Sequence, residues 1–229
     1  MKNILFIDIE TISDKADFYA LDQRWRELWR QKARKYARST EELPLSDKRA
    51  ATLYHEKASL HPEFSRIVCI GMGVVRDGHV KTHALCGLDE KGLLEGFVSI
   101  LNKSYPDPQQ HALCGHNIKG FDIPFICKRS KLHSIQLPAL LQVQGKKPWE
   151  LAHLKDTMEA WRYGDMSYTS LDLLCALWGI ETPKAGDVTG ENLGEYFYGS
   201  EKKQEALQGI ADYCLADVKA TALLWMKIN

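Results

Sequence analysis

The chain has 229 residues, with 30 basic and 30 acidic side chains, so its formal net charge is zero. Its composition, 45% hydrophobic and 26% charged, is typical of globular proteins and argues against wholesale disorder. No apolar run reaches the roughly 20 residues that a membrane span requires, so we expect no membrane segment. Zero net charge also argues against binding nucleic acid through bulk electrostatics, so any anionic partner would be held by local patches or metal ions.

The cysteine pattern argues against a disulfide scaffold and against a structural zinc module. The six cysteines form no Cys-x-x-Cys pair and have no histidine at zinc-finger spacing. Most lie within apolar runs, which is typical of buried thiols in a reducing compartment. The N-terminal apolar stretch, residues 4–7, is too short for a signal peptide and leads directly into acidic residues. We therefore expect a cytoplasmic protein.

Along the first part of the chain, apolar periodicity predicts a buried strand over residues 2–11 and then a helical segment over 15–61. Two strands over 67–75 and 79–86 flank an Asp-Gly turn, which predicts a hairpin. The later elements alternate: a helix over 92–101, a strand over 112–114, a helix over about 121–132, a strand end at 154–157, and helices over 168–178 and about 202–227.

This order of elements predicts an α/β fold, a mixed sheet flanked by helices, in one domain covering residues 1–229. The segment 15–61 is interpreted as a basic, aromatic helical insertion after the first strand. Between 24 and 38 it carries seven basic residues interleaved with Trp25, Trp29 and Tyr36. These could form a groove for single-stranded nucleic acid, or the aromatics could pack while the arginines stay solvated. We favour packing for the tryptophans and leave the arginines open.

Asp8 and Glu10 interrupt an otherwise apolar strand. Side chains two positions apart on a strand point to the same face, so these two carboxylates should project together. Burying paired carboxylates is costly unless a cation lies between them. The pair is therefore either a strand end that emerges into solvent or part of a metal site.

Two further acidic positions become informative when they are combined with this pair. Asp122 begins a predicted helix after a short strand, where it could simply cap the helix or could point at the edge of the sheet that binds ligands in open α/β folds. Tyr213 and Asp217 lie four apart on one face of the last helix, a spacing that is common by itself. Asp156 and Asp172 are interpreted as structural or solvated.

In this order, the three segments 6–11, 117–122 and 213–217 resemble the three exonuclease motifs of the DEDD (DnaQ-like) superfamily. The resemblance is closest to the 3′-to-5′ exonuclease domain of family B DNA polymerases. It implies a ribonuclease H-like fold and hydrolysis of phosphodiester bonds from a 3′ end. One branch of the superfamily has a histidine five positions before the last aspartate, and the other has a tyrosine four positions before it. This chain has Asp212 and Tyr213 there, so it matches the tyrosine branch.

The resemblance also implies the cofactors and their ligands. Two divalent cations, Mg²⁺ or Mn²⁺, would be held by Asp8, Glu10, Asp122 and Asp217, with Asp8 bridging both. Tyr213 would be the fifth catalytic residue and would orient the attacking water. A phenol with an ordinary pKa of about 10 is a poor general base at pH 7, so we assign it a positioning role.

The substrate expected from the resemblance is single-stranded nucleic acid, DNA in preference to RNA. Five residues are predicted to contact it: Thr11, Ile12, Asn117, Phe121 and Lys184. Two other functions remain open. A ribonuclease H-type endonuclease would share the carboxylates, and a non-catalytic nucleic-acid-binding module or polymerase-associated subunit would keep the fold without the reaction.

Overall fold

The computed structural model describes residues 3–37, 43–182 and 188–228. Within these ranges the strands are β1 (Asn3–Ser13), β2 (Ser65–Arg76), β3 (His79–Cys86), β4 (His111–Gly115) and β5 (Leu154–Asp156). The helices are α1 (Gln23–Ala33), α2 (Asp47–Lys57), α3 (Glu90–Ser104), α4 (Asp122–Leu132), α5 (Thr157–Arg162), α6 (Leu171–Leu177), α7 (Leu193–Gly199) and α8 (Lys203–Ile228).

The five strands form one mixed sheet in the order β3-β2-β1-β4-β5. β1 lies at its centre, antiparallel to β2 and parallel to β4. Its odd-numbered side chains Leu5, Ile7 and Ile9 join the large core that contains apolar residues of α3 and α4. Because alternate residues of a strand face opposite sides, the even-numbered positions face α8, where Phe6 packs on Val218.

α8 approaches the sheet closely at two glycines of β2. A Cβ atom added at Gly71 would lie 2.7 Å from Sγ of Cys214, and one added at Gly73 would lie 2.6 Å from a methyl group of Val218. Both distances are shorter than real Cβ contacts, so the absence of side chains at 71 and 73 lets the helix lie against the strand. Tyr213 and Asp217 are carried by this same stretch of α8.

The segment between β1 and β2 is helical, as predicted, and packs around a core of its own. Trp29 of α1 is fully buried, and its Nε1 donates to the carbonyl oxygen of Ala50 in α2 at 2.9 Å. Trp25 is 42% exposed and meets the ring of Phe64 edge-on. Arg30 forms an ion pair with Asp47 of α2. The packed interpretation is therefore right for Trp29 and only partly right for Trp25.

The hairpin β2–β3 and the helices α3, α4 and α8 agree with the elements predicted from periodicity. The helix predicted over 168–178 is shorter, because the Ser170 side chain accepts from the backbone N–H of Leu173 and caps α6 there. Its C-terminal end carries Gly179 with a φ of +63°, the conformation expected of a glycine that ends a helix. α5 and α7 were not predicted.

The described part of the chain contains no helix that is both long enough and apolar enough to cross a membrane. All six cysteines are free thiols, and four of them are buried. The assignment of residues 1–229 to a single domain stays a prediction.

Candidate active site

Asp8 and Glu10 lie on the face of β1 that is covered by α8. One carboxylate oxygen of each, together with Sγ of Cys214, lie within 4.8 Å of one another. The Cys214 thiol is 3.5 Å from the carbonyl oxygen of Asp8 and 3.7 Å from its Oδ2, to which it donates. The period of two along the strand therefore does bring the two acids together beside the last helix.

A β-bulge follows this acidic pair directly. Glu10 lies opposite Cys69 of β2, but Thr11 lies opposite Ile67, so β2 has one extra residue at this point. A bulge disrupts the regular ladder and redirects the strand, and such irregularities are common beside functional sites. Here the pairing resumes at Thr11 and continues to Ser13, so the bulge shifts the register of β1 against β2 directly after the acidic pair.

Asp122 is the first residue of α4, at the carboxyl end of β4. Its side chain does not cap the helix, since the N-cap position is Phe121 and makes no side-chain cap bond. Instead, Oδ1 of Asp122 accepts a hydrogen bond from the backbone N–H of Ile9 at 3.1 Å. The capping interpretation is therefore wrong, and the carboxylate instead bonds to Ile9, the residue that lies between Asp8 and Glu10 on β1.

Asp217 and Tyr213 bring the last helix into this group. The charge of Asp217 raises the pKa of Asp8, of Glu10 and of Tyr213, so its carboxylate faces the same space as theirs. Tyr213 is only 9% exposed, and its side chain hydrogen-bonds with Asp217. The i, i+4 spacing on α8 thus places the phenol and the last carboxylate side by side.

Burial and mutual repulsion perturb the acids strongly. Burial, followed by the charges of the other three carboxylates, raises the pKa of Asp8 well above its ordinary value. Burial, followed by the charges of Asp217 and Asp122, raises the pKa of Glu10. Burial raises the pKa of Asp122 to about 7, against the opposing effect of its hydrogen bond from Ile9. Because burial and neighbouring negative charges both disfavour their ionised forms, Asp8, Glu10 and Asp122 need a cation to ionise together at neutral pH.

The chemistry of these side chains fits hard divalent cations. The oxygens of Asp8, Glu10, Asp122 and Asp217 are ligands that Mg²⁺ and Mn²⁺ prefer. Cys214 adds a sulfur atom nearby, but burial raises the pKa of its thiol well above the ordinary value. Without a metal ion the thiol is therefore protonated at neutral pH.

The acids open into a cleft of about 320 Å³. Its described lining includes five acidic residues: Asp8, Glu10, Asp122, Asp172 and Asp217. None of the described lining residues is a lysine or an arginine. In particular, the arginines of α1 do not line this cleft, and Arg30 is paired with Asp47.

Asp156 orders the loop that leads into α4. Its Oδ1 and Oδ2 accept from the backbone N–H groups of Asn117 and Lys119 at 3.0 and 3.2 Å. The same carboxylate caps α5 by accepting from Met158 and Glu159. These bonds hold Asn117 in its left-handed conformation, with a φ of +60°. The structural role predicted for Asp156 agrees with this geometry.

The structure places three of the five residues predicted to contact substrate on the lining of the cleft. Thr11, Asn117 and Phe121 line the cleft, although the Thr11 hydroxyl already donates to the carbonyl oxygen of Ser59 at 2.8 Å. Ile12 differs from the expectation, because its side chain is fully buried in the core formed with α7 and α8 and cannot reach a nucleotide. Lys184 lies outside the described residues.

Sequence reasoning missed several lining residues. Ser59 and Leu60 reach the cleft from the end of the helical insertion, and Tyr168 reaches it from the loop before α6. Asp172, which we expected to be structural or solvated, also lines the cleft and accepts from the Thr182 hydroxyl at 2.6 Å. Of these residues, only Tyr168 carried a signal, because it is an aromatic residue at the start of the helix predicted over 168–178.

Comparison with known protein families bears directly on this arrangement. The model of a family described as "Predicted 3'-5' exonuclease related to the exonuclease domain of PolB" matches residues 58–229. The chain belongs to this exonuclease family. The matched segment includes Asp122, Tyr213 and Asp217, whereas Asp8 and Glu10 precede it.

One solved structure is similar to this family member over its whole length. The structure of the family B DNA polymerase from the hyperthermophilic archaeon Pyrobaculum calidifontis matches with a TM-score of 0.56 at 18% identity. The alignment covers 100% of this chain and 24% of the polymerase, so the chain spans about a quarter of that protein's length. The likeness confirms the predicted α/β fold, a mixed sheet flanked by helices. No curated protein matches the chain.

Proposed function

We propose that the chain is a metal-dependent 3′-to-5′ exonuclease that hydrolyses phosphodiester bonds at the 3′ end of single-stranded nucleic acid, DNA in preference to RNA. The observation that carries the proposal is the meeting of four carboxylates, from β1, α4 and α8, around one cleft. Membership of a predicted exonuclease family supports the same reaction. An acidic cleft without a described lysine or arginine would repel a phosphate backbone unless cations were bound in it.

Asp8, Glu10, Asp122 and Asp217 are the residues that would hold two divalent cations. Such cations acidify a water molecule and neutralise charge on the attacking and leaving oxygens of the phosphodiester. The protein's own contribution is to keep the four carboxylates fixed and close. β1 supplies two of them in register, and the Ile9 N–H fixes the third through Oδ1 of Asp122.

Tyr213 positions the attacking water in this proposal. Burial, the charge of Asp217 and the charge of Glu10 raise the pKa of its phenol well above the ordinary value. The hydroxyl therefore keeps its proton at neutral pH and can donate or accept a hydrogen bond without acting as the base. A Cβ added at Gly190 would lie 3.6 Å from the Tyr213 hydroxyl, so the chain passes close to this group without a side chain.

The direct experiment compares single-stranded DNA oligonucleotides labelled at the 3′ or the 5′ end, incubated with the protein in Mg²⁺, Mn²⁺ or EDTA. Stepwise shortening from the 3′ end that EDTA abolishes is the expected result. Internal cuts would instead indicate a ribonuclease H-type endonuclease. Binding without cleavage in either metal would indicate a non-catalytic module, and either outcome would overturn the proposal.

Two controls sharpen this assay. The Asp8→Asn variant keeps the size of the side chain but removes its charge, so it should lose turnover by at least about a thousandfold. The Asp14→Asn variant changes an exposed acid just beyond β1 and should cleave at the wild-type rate. Parallel rates on single-stranded DNA, duplex DNA and RNA then give the substrate preference.

A further inference from the structure

A second groove, of about 340 Å³, lies at the β2–β3 hairpin, on the opposite face of the sheet from Asp8 and Glu10. It is bounded by residues of the segments 72–76, 81–83 and 100–105 and by Leu5, and we call it the hairpin groove. Leu5 belongs to the odd-numbered face of β1, which packs on α3, whereas Asp8 and Glu10 belong to the even-numbered face. The sheet itself therefore separates the hairpin groove from the candidate active site.

The period of two along the hairpin gives the groove an apolar floor and a basic edge. Met72, Val74 and Arg76 share one face of β2. On β3, Lys81 lies opposite Val74 and His83 lies opposite Met72, so their side chains are on that face as well. Because β3 is the last strand on its side of the described sheet, the basic side chains lie at the rim of the groove.

The charge of the hairpin groove has one sign. Arg76, Lys81 and His83 belong to its described lining, which contains no aspartate and no glutamate. All three side chains are exposed, and none of them forms an ion pair within the described part of the chain. Asp77, the acidic residue nearest to them in sequence, lies in the hairpin turn and outside the lining. An anionic partner would therefore meet this rim without competing with an acid of the same groove.

The floor indicates which kind of anion fits. Its aliphatic and thioether side chains are buried or half-buried: Leu5, Met72, Val74 and Ile100. The tyrosine of the described lining, Tyr105, is half-buried and packs edge-on against His111. Single-stranded nucleic acid is typically held on a series of aromatic side chains, on which successive bases stack. An aliphatic floor with a basic rim instead fits a peptide that carries both acidic and apolar side chains.

We propose that the hairpin groove binds an acidic peptide segment of a partner protein, with an apolar side chain on the floor and carboxylates on Arg76 and Lys81. The inference goes beyond the proposed nuclease activity and does not depend on it. Because the groove and the acidic cleft open on opposite faces of the sheet, the peptide and a nucleic acid strand can be bound at the same time. The groove would thus attach the chain to a partner and leave the cleft free.

The first test measures the binding of fluorescein-labelled peptides by fluorescence anisotropy. The acidic peptides have a run of aspartates followed by leucine, isoleucine or phenylalanine. One set of controls replaces the aspartates by asparagine, and a second replaces the apolar residue by serine. At least one acidic peptide should bind, and either replacement should raise its Kd about tenfold or more. Equal Kd values for the aspartate and asparagine peptides, or no binding of any acidic peptide at millimolar concentration, would overturn the proposal.

Charge reversal in the protein locates the binding site. Arg76→Glu/Lys81→Glu changes two exposed side chains and should raise the Kd of the acidic peptide about tenfold or more. Lys91→Glu is the matched control, since Lys91 is an exposed lysine at the other end of α3 and does not line the groove. It should leave the Kd unchanged. An equal rise in both variants would show general attraction to a basic surface and would refute the assignment.

Competition distinguishes a peptide from nucleic acid as the occupant. In EDTA, an unlabelled single-stranded DNA oligonucleotide should not displace the acidic peptide from the wild-type protein. Displacement would assign the groove to nucleic acid and refute the proposal. None of these measurements needs turnover, so they test the hairpin groove whether or not the chain cleaves DNA. Conversely, Arg76→Glu/Lys81→Glu should shorten a 3′ end at the wild-type rate if the proposed nuclease function is right.

Discussion

Oδ1 of Asp122 accepts a hydrogen bond from the backbone N–H of Ile9 at 3.1 Å, across 113 positions of sequence. Ile9 lies between the two acids of β1, so this one bond sets where α4 begins relative to Asp8 and Glu10. It also means that the Asp122 side chain has two separable properties, a charge that faces the other acids and an oxygen that satisfies a buried N–H group.

Two substitutions at position 122 separate these properties. Asp122→Asn keeps an oxygen that can accept from Ile9, whereas Asp122→Ala leaves the buried N–H without an acceptor. Both should lose nuclease activity, but the Asn variant should be about 1–3 kcal/mol more stable than the Ala variant, as measured by urea unfolding in EDTA. Equal stabilities would show that the bond to Ile9 contributes nothing to the fold.

Tyr213 can be tested against its neighbour on α8. Tyr213→Phe removes only the hydroxyl, and because that group positions water in our proposal, we expect kcat to fall about 10- to 100-fold, less than in Asp8→Asn. Asp212→Asn changes the exposed residue at the position that the histidine branch would use, and it should leave kcat unchanged. A loss in Tyr213→Phe as complete as that in Asp8→Asn would contradict the positioning role.

The raised pKa values predict how stability depends on pH without metal. The Asp122 carboxyl has a pKa of about 7 when folded, against an ordinary value of 3.8, so between these values the folded state binds more protons than the unfolded state. The free energy of unfolding should therefore fall as pH rises from about 4 to about 7, by up to about 1.4 kcal/mol per pH unit for one such group. The raised pKa values of Asp8 and Glu10 change the free energy of unfolding in the same direction.

Adding Mg²⁺ should reverse this loss, because a cation stabilises the ionised carboxylates of the folded state. We expect the increase in Tm with 5 mM Mg²⁺ to be larger at pH 8 than at pH 5.5, as followed by differential scanning fluorimetry. Asp122→Asn should show a shallower pH dependence in EDTA. An Mg²⁺ effect that is equal at both pH values would argue against binding at these acids.

The basic helix α1 gives a prediction about salt. None of Arg24, Arg26 and Arg30 lines the cleft, and Arg30 is engaged by Asp47. Replacing all three by Ala should therefore leave the slope of log Kd against log salt concentration unchanged for a single-stranded oligonucleotide. A flatter slope in a variant that remains folded would show that α1 contacts phosphate.

Local periodicity was enough to predict most of the fold. The alternation along β1 and the i, i+4 spacing on α8 follow from the geometry of single elements, so the pairing of Asp8 with Glu10 and of Tyr213 with Asp217 could be predicted. Their catalytic roles stay predictions. The start of α6 was misplaced, because the Ser170 cap outweighs a helical pattern that begins two residues earlier.

The walls of the cleft could not be predicted, because they depend on contacts between distant parts of the chain. Leu60 reaches the cleft only because its 3₁₀ turn returns to β1, where Thr11 bonds to Ser59. The burial of Ile12 has a related cause: Ile12 lies on the same face of β1 as Glu10, but α7 and α8, which come much later in the chain, cover that face at position 12. The short helix α7 has too few turns for its apolar spacing to stand out.

The close contact between Gly71 and α8 means that a substitution outside the acidic group could abolish activity. A single methyl group at position 71 would collide with Cys214, one residue from Tyr213, and would lift the helix from the strand. A substitution at a residue that contacts neither the acids nor nucleic acid would thus move Asp217 away from the other three carboxylates. The activity of this chain therefore also depends on Gly71, a residue of β2 that has no side chain.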